Sequence, residues 1–500
     1  MHWLLRCCGR RHRTAGALFT VCLLAFCLQS VAPRRVWGGR LARYGGSLQV
    51  ALPLRPADLA PPEPLTLWGD DGALVSACLY EGLTRWGSGG VEPDLAVHWV
   101  RNDEGTRWYF QLRPEIRFHD GTRCDAQSVS ESLHRLADPR RSPHAWLLRE
   151  LVGMQDYVAG ETQQIEGIYV LSSTELELQC DTPVPDLAAR LALPEAAIVR
   201  GQGTAALGTG PFRLVSAVAE TLRCAAFEQH HEGRPFLNAV TFTGIARDAA
   251  RPREAALLRK LDPAAAPPAG AVRVRVPARR LALALLHPKS AVFADAALRR
   301  RVAATFDAAV FVRAGLAGDG EPAFGLSPQA ATVRATPPAV QESKSPPRHP
   351  VKILVPAAEP VLVKLGERLQ VQLAQLSLDA EVDSRPPATY TTALRAGAFD
   401  LAVLGWTPPA EDLQETGRVL HLLSTLLLPV LGDGMPPAWR DLLEGRGRAT
   451  EVALGASGHL LPLVFFHDVW QAPDTVQPLR PAPETATLGL PDAHVRPVIP

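Results

Sequence analysis

"VKILVPAAEPVLVKLGERLQVQLAQLSLDAEVDSRPPATYTTALRAGAFDLAVLGW", residues 351–406, decides the fold class. "VKILVP" (351–356), "LDAEVDS" (378–384) and "FDLAVLGW" (399–406) read as short apolar strands. Between them, "VLVKLGERLQVQLAQL" (361–376) and the segment ending in "LRAG" (394–397) carry the helical period. Regular strand–helix alternation predicts an α/β lobe with a largely parallel sheet, because each parallel pairing needs a crossover and a helix supplies it.

The pattern weakens on both sides of this stretch. Upstream, the proline-rich "ATPPAVQESKSPPRHP" (335–350) reads as a linker or surface loop. Before it, "RLALALL" (280–286) predicts a buried strand and "DAALRRRVAATF" (295–306) an amphipathic helix. Downstream, "LPLVFFHDVW" (461–470) is a further buried strand. The N-terminal half mixes the two periods. "GGSLQVALPL" (45–54) suits a strand, and "DDGALVSACLYEGLTRW" (70–86) a helix capped by Asp70 or Asp71. "WYFQL" (108–112) and "IRF" (116–118) read as strands split by Arg113-Pro114, and "CDAQSVSESLHRLAD" (124–138) returns to helix. Strands at "IEGIYVLSSTELELQC" (165–180), "FRLVS" (212–216) and "LRCAAFEQH" (222–230) complete that half.

Five hundred residues exceed what one core usually supports, so two or three domains or one large lobed body is expected. Lys and Arg (52) balance Asp and Glu (51), which leaves no global field to attract nucleic acid or an anionic membrane. Arg6, Arg10, Arg11 and Arg13 precede the uncharged apolar stretch 15–32. That pattern predicts export, by a cleaved signal peptide or an uncleaved membrane anchor. Beyond it lie Cys78, Cys124, Cys180 and Cys224, far apart and without a C-x-x-C spacing. In an oxidising compartment they permit three disulfide pairings; the alternative is that they are small buried apolar residues.

Motifs for chemistry are sparse. "FHDGT" (118–122) offers His119 and Asp120, but neighbours on a strand face opposite ways, and Asp120-Gly121 is a turn dipeptide. It reads as a strand, a turn, and a helix capped by Asp125 with Ser128 three residues on. "GQGTAALGTGPF" (201–212) lacks the Lys-Ser/Thr of a phosphate loop and reads as a turn at a domain edge. His230-His231 with Glu232 read as polar residues on the surface, not ligands, since adjacent histidines rarely converge on one ion. No catalytic residue, metal ligand or cofactor is assigned.

Ordered segments nevertheless share a resemblance. "GGSLQVALPLRPADLAPPEP", "LYEGLTRW" with "VEPDLAVHWV", "WYFQLRPEIRFHDGTRCDAQSV", "LGTGPFRLV", "FADAALRRRVAATFD" and "LRAGAFDLAVLGW" resemble the extracytoplasmic solute-binding proteins of ABC transporters, family 5, the oligopeptide-, dipeptide- and nickel-binding type. The resemblance implies an α/β, two-lobed periplasmic-binding-protein type II fold with an extra subdomain. Lobe 1 would hold residues 45–65, 165–275 and 461–500, the extra subdomain 66–164, and lobe 2 residues 276–460, with 1–44 as signal or anchor. It implies a periplasmic monomer, without enzymatic activity, that encloses a peptide or other small molecule between the lobes and presents it to an ABC permease.

In peptide-binding members an Asp three residues after the Trp of the G-W segment pairs with the ligand's α-amino group; here Trp406 is followed by Thr407, Pro408 and Pro409. That anchor is absent at its expected place, and Glu411 or Asp412 are its candidate substitutes. Trp406 is the first candidate for ligand contact, because an indole stacks and donates one hydrogen bond. Tyr390, Thr407, Glu411, Asp412 and Arg55 follow it, whereas Tyr80 and Glu81 read as scaffold. The stretch 413–460 is rich in Leu, Gly and Ala and lacks the family pattern. Two other classes stay open: a binding-fold module acting as a membrane-anchored sensor or accessory protein, and an exported hydrolase or metal enzyme.

Overall fold

The computed structural model describes residues 44–52, 63–65, 69–87, 89–203, 206–218, 221–244, 256–261, 266, 270–328, 350–409, 412–477, 490 and 493–495. The expected leader up to residue 43, Arg55, Glu411 and nearly all of the proline-rich stretch 335–350 lie outside the described residues.

Along the chain come β1 (Ser47–Leu52), α1 (Gly69–Leu79), β2 (Thr84–Gly87), β3 (Gly90–Pro93), β4 (Ala96–Arg101), β5 (Arg107–Leu112) and α2 (Ala126–Ala137). Then follow β6 (Ile168–Ser172), β7 (Glu175–Gln179), β8 (Phe212–Val218), β9 (Thr221–Ala226), β10 (Ala239–Gly244), β11 (Ala256–Leu261) and β12 (Ala271–Leu286). The last part contains α3 (Ala296–Thr305), α4 (Ala308–Gly315), β13 (Gly320–Pro322), β14 (Val351–Pro356), α5 (Pro360–Gln375), β15 (Ala380–Arg385), α6 (Pro387–Arg395), β16 (Leu401–Trp406), α7 (Glu415–Leu422) and β17 (Leu460–Pro473).

The large sheet runs β15-β14-β16-β12-β17-β11-β1-β10-β9-β8, with β13 also on β17. β14 pairs in parallel with both β15 and β16, as the alternation in 351–406 predicts. α5 supplies one crossover. Its Val361, Leu362, Leu365, Leu369 and Leu373 are buried, the stripe that a 3.6-residue period gives, and each buried aliphatic side chain contributes roughly 1.5–3 kcal/mol. Gly366 lets the helix approach the sheet, since a Cβ there would stand 2.5 Å from Val355 Cγ1.

Two long antiparallel strands, β12 and β17, join the halves of this sheet. Residues 271–275 of β12 pair with 469–473 of β17, while 279–285 pair again with β17 and 281–286 with β16. Between Arg275 and Arg279 the register shifts, and Pro277, which has no N–H to donate, sits in that break.

A separate four-stranded sheet has the order β4-β5-β7-β6. β7, which the sequence reading placed with lobe 1 together with β6, bonds to β5, and β6 bonds to β7. Two local expectations also change. "IRF" forms no strand but a single bridge, Arg117 to Arg123, across the Asp120-Gly121 turn. α1 ends at Leu79, well short of Trp86, and Asp70 and Asp71 lie inside its first turn. The Asp125 cap of α2 is as expected, with a reciprocal capping box to Ser128.

Three cores form. One lies under β1, β9 and β10 (Leu48, Val50, Phe212, Phe242), and another between β14 and the helices α3 to α5 (Ile353, Val355, Leu365, Phe293). The third joins the small sheet to the far half of the large one, from Phe110, Leu133 and Trp146 to Leu283, Trp406, Leu420 and Leu426. The four cysteines are buried free thiols, which agrees with the apolar alternative. No helix among the described residues is long and apolar enough to cross a membrane.

Candidate functional site

Arg280 opens the apolar run of β12, directly after the register break, and its side chain is buried. A buried guanidinium must be paired, and three elements provide carboxylates. Glu359, which precedes α5, takes two parallel hydrogen bonds, Nη1 to Oε2 at 2.7 Å and Nη2 to Oε1 at 3.0 Å. Asp468 of β17 accepts from Nη1 at 3.4 Å. Asp70, in the first turn of α1, stands 2.8 Å from Nε as an ion pair, yet its Oδ2 receives no hydrogen bond among the described residues. Burial alone would lower the Arg280 pKa, but Glu359, Asp468 and Asp70 raise it well above the usual value.

Asp70, Arg280 and Glu359 line a cavity of about 60 Å³ with Asp71, Tyr390, Pro356 and Gly405. At ≈ 30 Å³ per water that space takes about two water-sized groups. Gly405 is required there, because a Cβ would overlap the Arg280 guanidinium. Three carboxylates around one guanidinium, with Asp71 on the same wall, leave the cavity with an excess of negative charge.

A second polar cluster gathers the short motifs. Gly210 comes so close to α1 that a Cβ would stand 2.6 Å from the Leu79 carbonyl carbon, and its N–H donates to Leu79 O at 3.1 Å. His119 N–H donates to Gly208 O at 2.9 Å, and His119 Nε2 lies 3.0 Å from Gly210 O. "FHDGT", "GTGPF" and "YEGL" therefore form one knot. Burial holds the His119 pKa down at about 4. Within the knot, Glu81 accepts from Thr209 Oγ1 at 2.8 Å, and its Oε1 faces His230 Nε2 at 2.8 Å and His231 Nε2 at 3.0 Å. This corrects the reading of His230 and His231 as surface residues that do not converge: their side chains are 6% and 5% exposed and meet at one oxygen. Burial pushes the Glu81 pKa up, but the bonds from both histidines outweigh it and hold the carboxyl at about 2.

The structure disperses the predicted ligand-contact residues. Tyr390 lines the cavity, and its hydroxyl reaches Val403 O at 3.4 Å. Trp406 is buried in the third core with its ring 5.9 Å from His421, and its Nε1 has no hydrogen-bond partner among the described residues. His421 in turn lies 3.7 Å from buried Glu195. Thr407 is half-buried, and Asp412 sits beside the β2–β3 turn, where a Cβ on Gly90 would come within 3.0 Å of its Oδ2. Sequence reasoning missed Arg280, Glu359, Asp468 and the cavity role of Asp70. One signal was available: an arginine at the head of a continuous apolar strand is buried only if paired.

The model of the bacterial extracellular solute-binding proteins, family 5 middle, matches residues 90–416. The nickel-binding periplasmic protein of Escherichia coli (strain K12) is 30% identical over 140 residues, 28% of this chain and 24% of that protein, so the match spans about a quarter of the relative's length. Among solved structures, the E. coli murein tripeptide binding protein MppA superposes with a TM-score of 0.70 at 18% identity, over 91% of this chain and 99% of that one. Haemophilus influenzae OppA in complex with RPPGFSPFR gives 0.70 at 16% identity, over 91% and 100%. The fold is thus the α/β, two-lobed type II binding-protein fold.

Proposed function

The chain belongs to the bacterial extracellular solute-binding proteins of family 5, and on that premise we propose that it encloses a small cationic solute at the hinge between its lobes and presents it to an ABC importer permease. The observation that carries this reading is the Arg280 cavity. Its walls come from α1, from β12 and β16, and from the residue before α5, while Asp468 of β17 pairs with the same guanidinium. A solute bound there touches both halves, which is how binding becomes coupled to hinge closure. Excess carboxylate favours an ammonium or guanidinium, and Asp70 Oδ2 has acceptor capacity to spare. A space of about 60 Å³ admits such a head group but not a peptide, so the rest of a peptide-like solute enters only as the hinge opens. In this reading the chain is an exported monomer without catalytic activity, and residues 1–44 provide its signal or its membrane anchor.

The test is a thermal-shift and calorimetric screen of di- and tripeptides, N-acetylated versions of the same peptides, polyamines, nickel complexes and sugars. Solutes with a free ammonium should raise the unfolding temperature with concentration, and N-acetylated peptides should not. Equal shifts by acetylated and free peptides would refute the cationic preference. No shift by any compound would refute solute binding and support the second reading, a binding-fold sensor or accessory module. One observation favours that reading: Leu413, Leu420, Leu423 and Leu426 pack with Leu147 and Ile198 in a shared core between the small sheet and the far half of the large sheet.

A further inference from the structure

The Glu81 cluster is distinct from the cavity, none of whose walls it forms, and its two imidazole contacts to one carboxylate oxygen need either a second proton on His230 or a cation between them. His230 Nδ1 faces Gly233 O at 3.2 Å, so that nitrogen carries the ring's proton. A neutral ring then presents the Nε2 lone pair to the Glu81 carboxylate at 2.8 Å, acceptor against acceptor. His231 approaches the same oxygen at 3.0 Å, and its Nδ1 is buried without a hydrogen-bond partner among the described residues. The three ligand atoms lie within 4.8 Å of one another.

We propose that Glu81, His230 and His231 bind one divalent transition-metal ion of the zinc class, which clamps the β9–β10 connection to the end of α1. Two imidazole nitrogens and one carboxylate oxygen are a zinc ligand set that leaves a fourth position for water. Around an ion at 2.0–2.2 Å, tetrahedral ligand atoms stand about 3.3 Å apart, so the present 2.8 and 3.0 Å spacings need open by only a few tenths. The outer shell is also in place. The Gly233 carbonyl fixes the His230 tautomer, and Thr209 Oγ1 holds the second Glu81 oxygen at 2.8 Å. Nearby, Arg85 pairs with Asp94 at 3.4 Å and Glu232 at 3.3 Å, and Arg113 with Glu232 at 3.5 Å.

The experiment titrates the EDTA-treated full chain with zinc chloride at neutral pH, by calorimetry and thermal unfolding, and repeats the titration with cobalt(II) while recording visible absorption. One ion per chain, a higher unfolding temperature and the bands of four-coordinate cobalt are expected. His231→Gln should lose more than the 10–100-fold affinity that outer-shell changes cost. Its circular dichroism should match the parent's, which covers the case in which Glu81→Gln unfolds by releasing Thr209. Absence of stoichiometric binding, or unchanged affinity in His231→Gln, would overturn the site and leave a proton-held histidine–carboxylate network. Neither result depends on the solute screen.

Discussion

Arg280 and Glu359 form a two-bonded pair that ties the hinge strand β12 to the start of α5, at 2.7 and 3.0 Å. Parallel hydrogen bonds of this kind fix orientation as well as distance. Removing the guanidinium leaves Asp70, Glu359 and Asp468 to repel one another in a buried site. Arg280→Ala should therefore cost roughly 3–5 kcal/mol, read as a lower denaturant midpoint. Glu359→Gln keeps an acceptor and should cost less. A loss below about 1 kcal/mol in Arg280→Ala would show that the cluster contributes nothing net.

Ser424 is the joint between the leucine-rich stretch and the helical segment near the small sheet. Its hydroxyl accepts from Trp146 Nε1 at 3.1 Å and lies 3.2 Å from His144 Nδ1, all three side chains being buried. Ser424→Ala strands those partners and should destabilise by about 1–3 kcal/mol. Equilibrium urea unfolding measures it, and Ser424→Thr, which keeps the hydroxyl, should recover part of the loss.

Acid should weaken the fold through its buried neutral histidines. Burial holds the pKa of both His144 and His119 at about 4, against an ordinary 6.5. The unfolded chain thus binds more protons between those values, so stability falls as pH drops from 6.5 toward 4, by at most roughly 3 kcal/mol per histidine. Glu81, held at about 2, acts at lower pH: its contribution is complete above the ordinary 4.5 and disappears as pH falls through about 2. Urea midpoints at about pH 7 and about pH 5 check the histidine part. His144→Gln should lose less stability across that interval than the parent.

Trp406 separates packing from recognition. Its indole N–H makes no hydrogen bond among the described residues, so Trp406→Phe should change stability by less than about 1.5 kcal/mol. A solute that uses the N–H should bind more weakly to the variant, and isothermal titration decides this. Unchanged affinity would assign Trp406 to the core alone.

Much of the fold was legible because it rests on local chemistry. The strands and crossover helix of 351–406 follow from apolar period, and the Asp125–Ser128 box from cap chemistry. "IRF" misled because a turn three residues on limits it to one bridge, which local propensity does not reveal. An alternating strand pattern does not name its partner, so the pairing of β7 with β5 and of β6 with β7 was not legible in the sequence.

By itself the sequence determined the elements of this protein and, through ordered motifs, its family. Those are properties of short windows, where period, caps and turn residues act on neighbours. Only the tertiary structure decided that Asp70, Glu359 and Asp468 gather on Arg280, and that Glu81 meets His230 and His231. Residues that far apart along the chain meet only when the sheet and its crossovers close. Burial then turns those ordinary surface charges into obligatory partners.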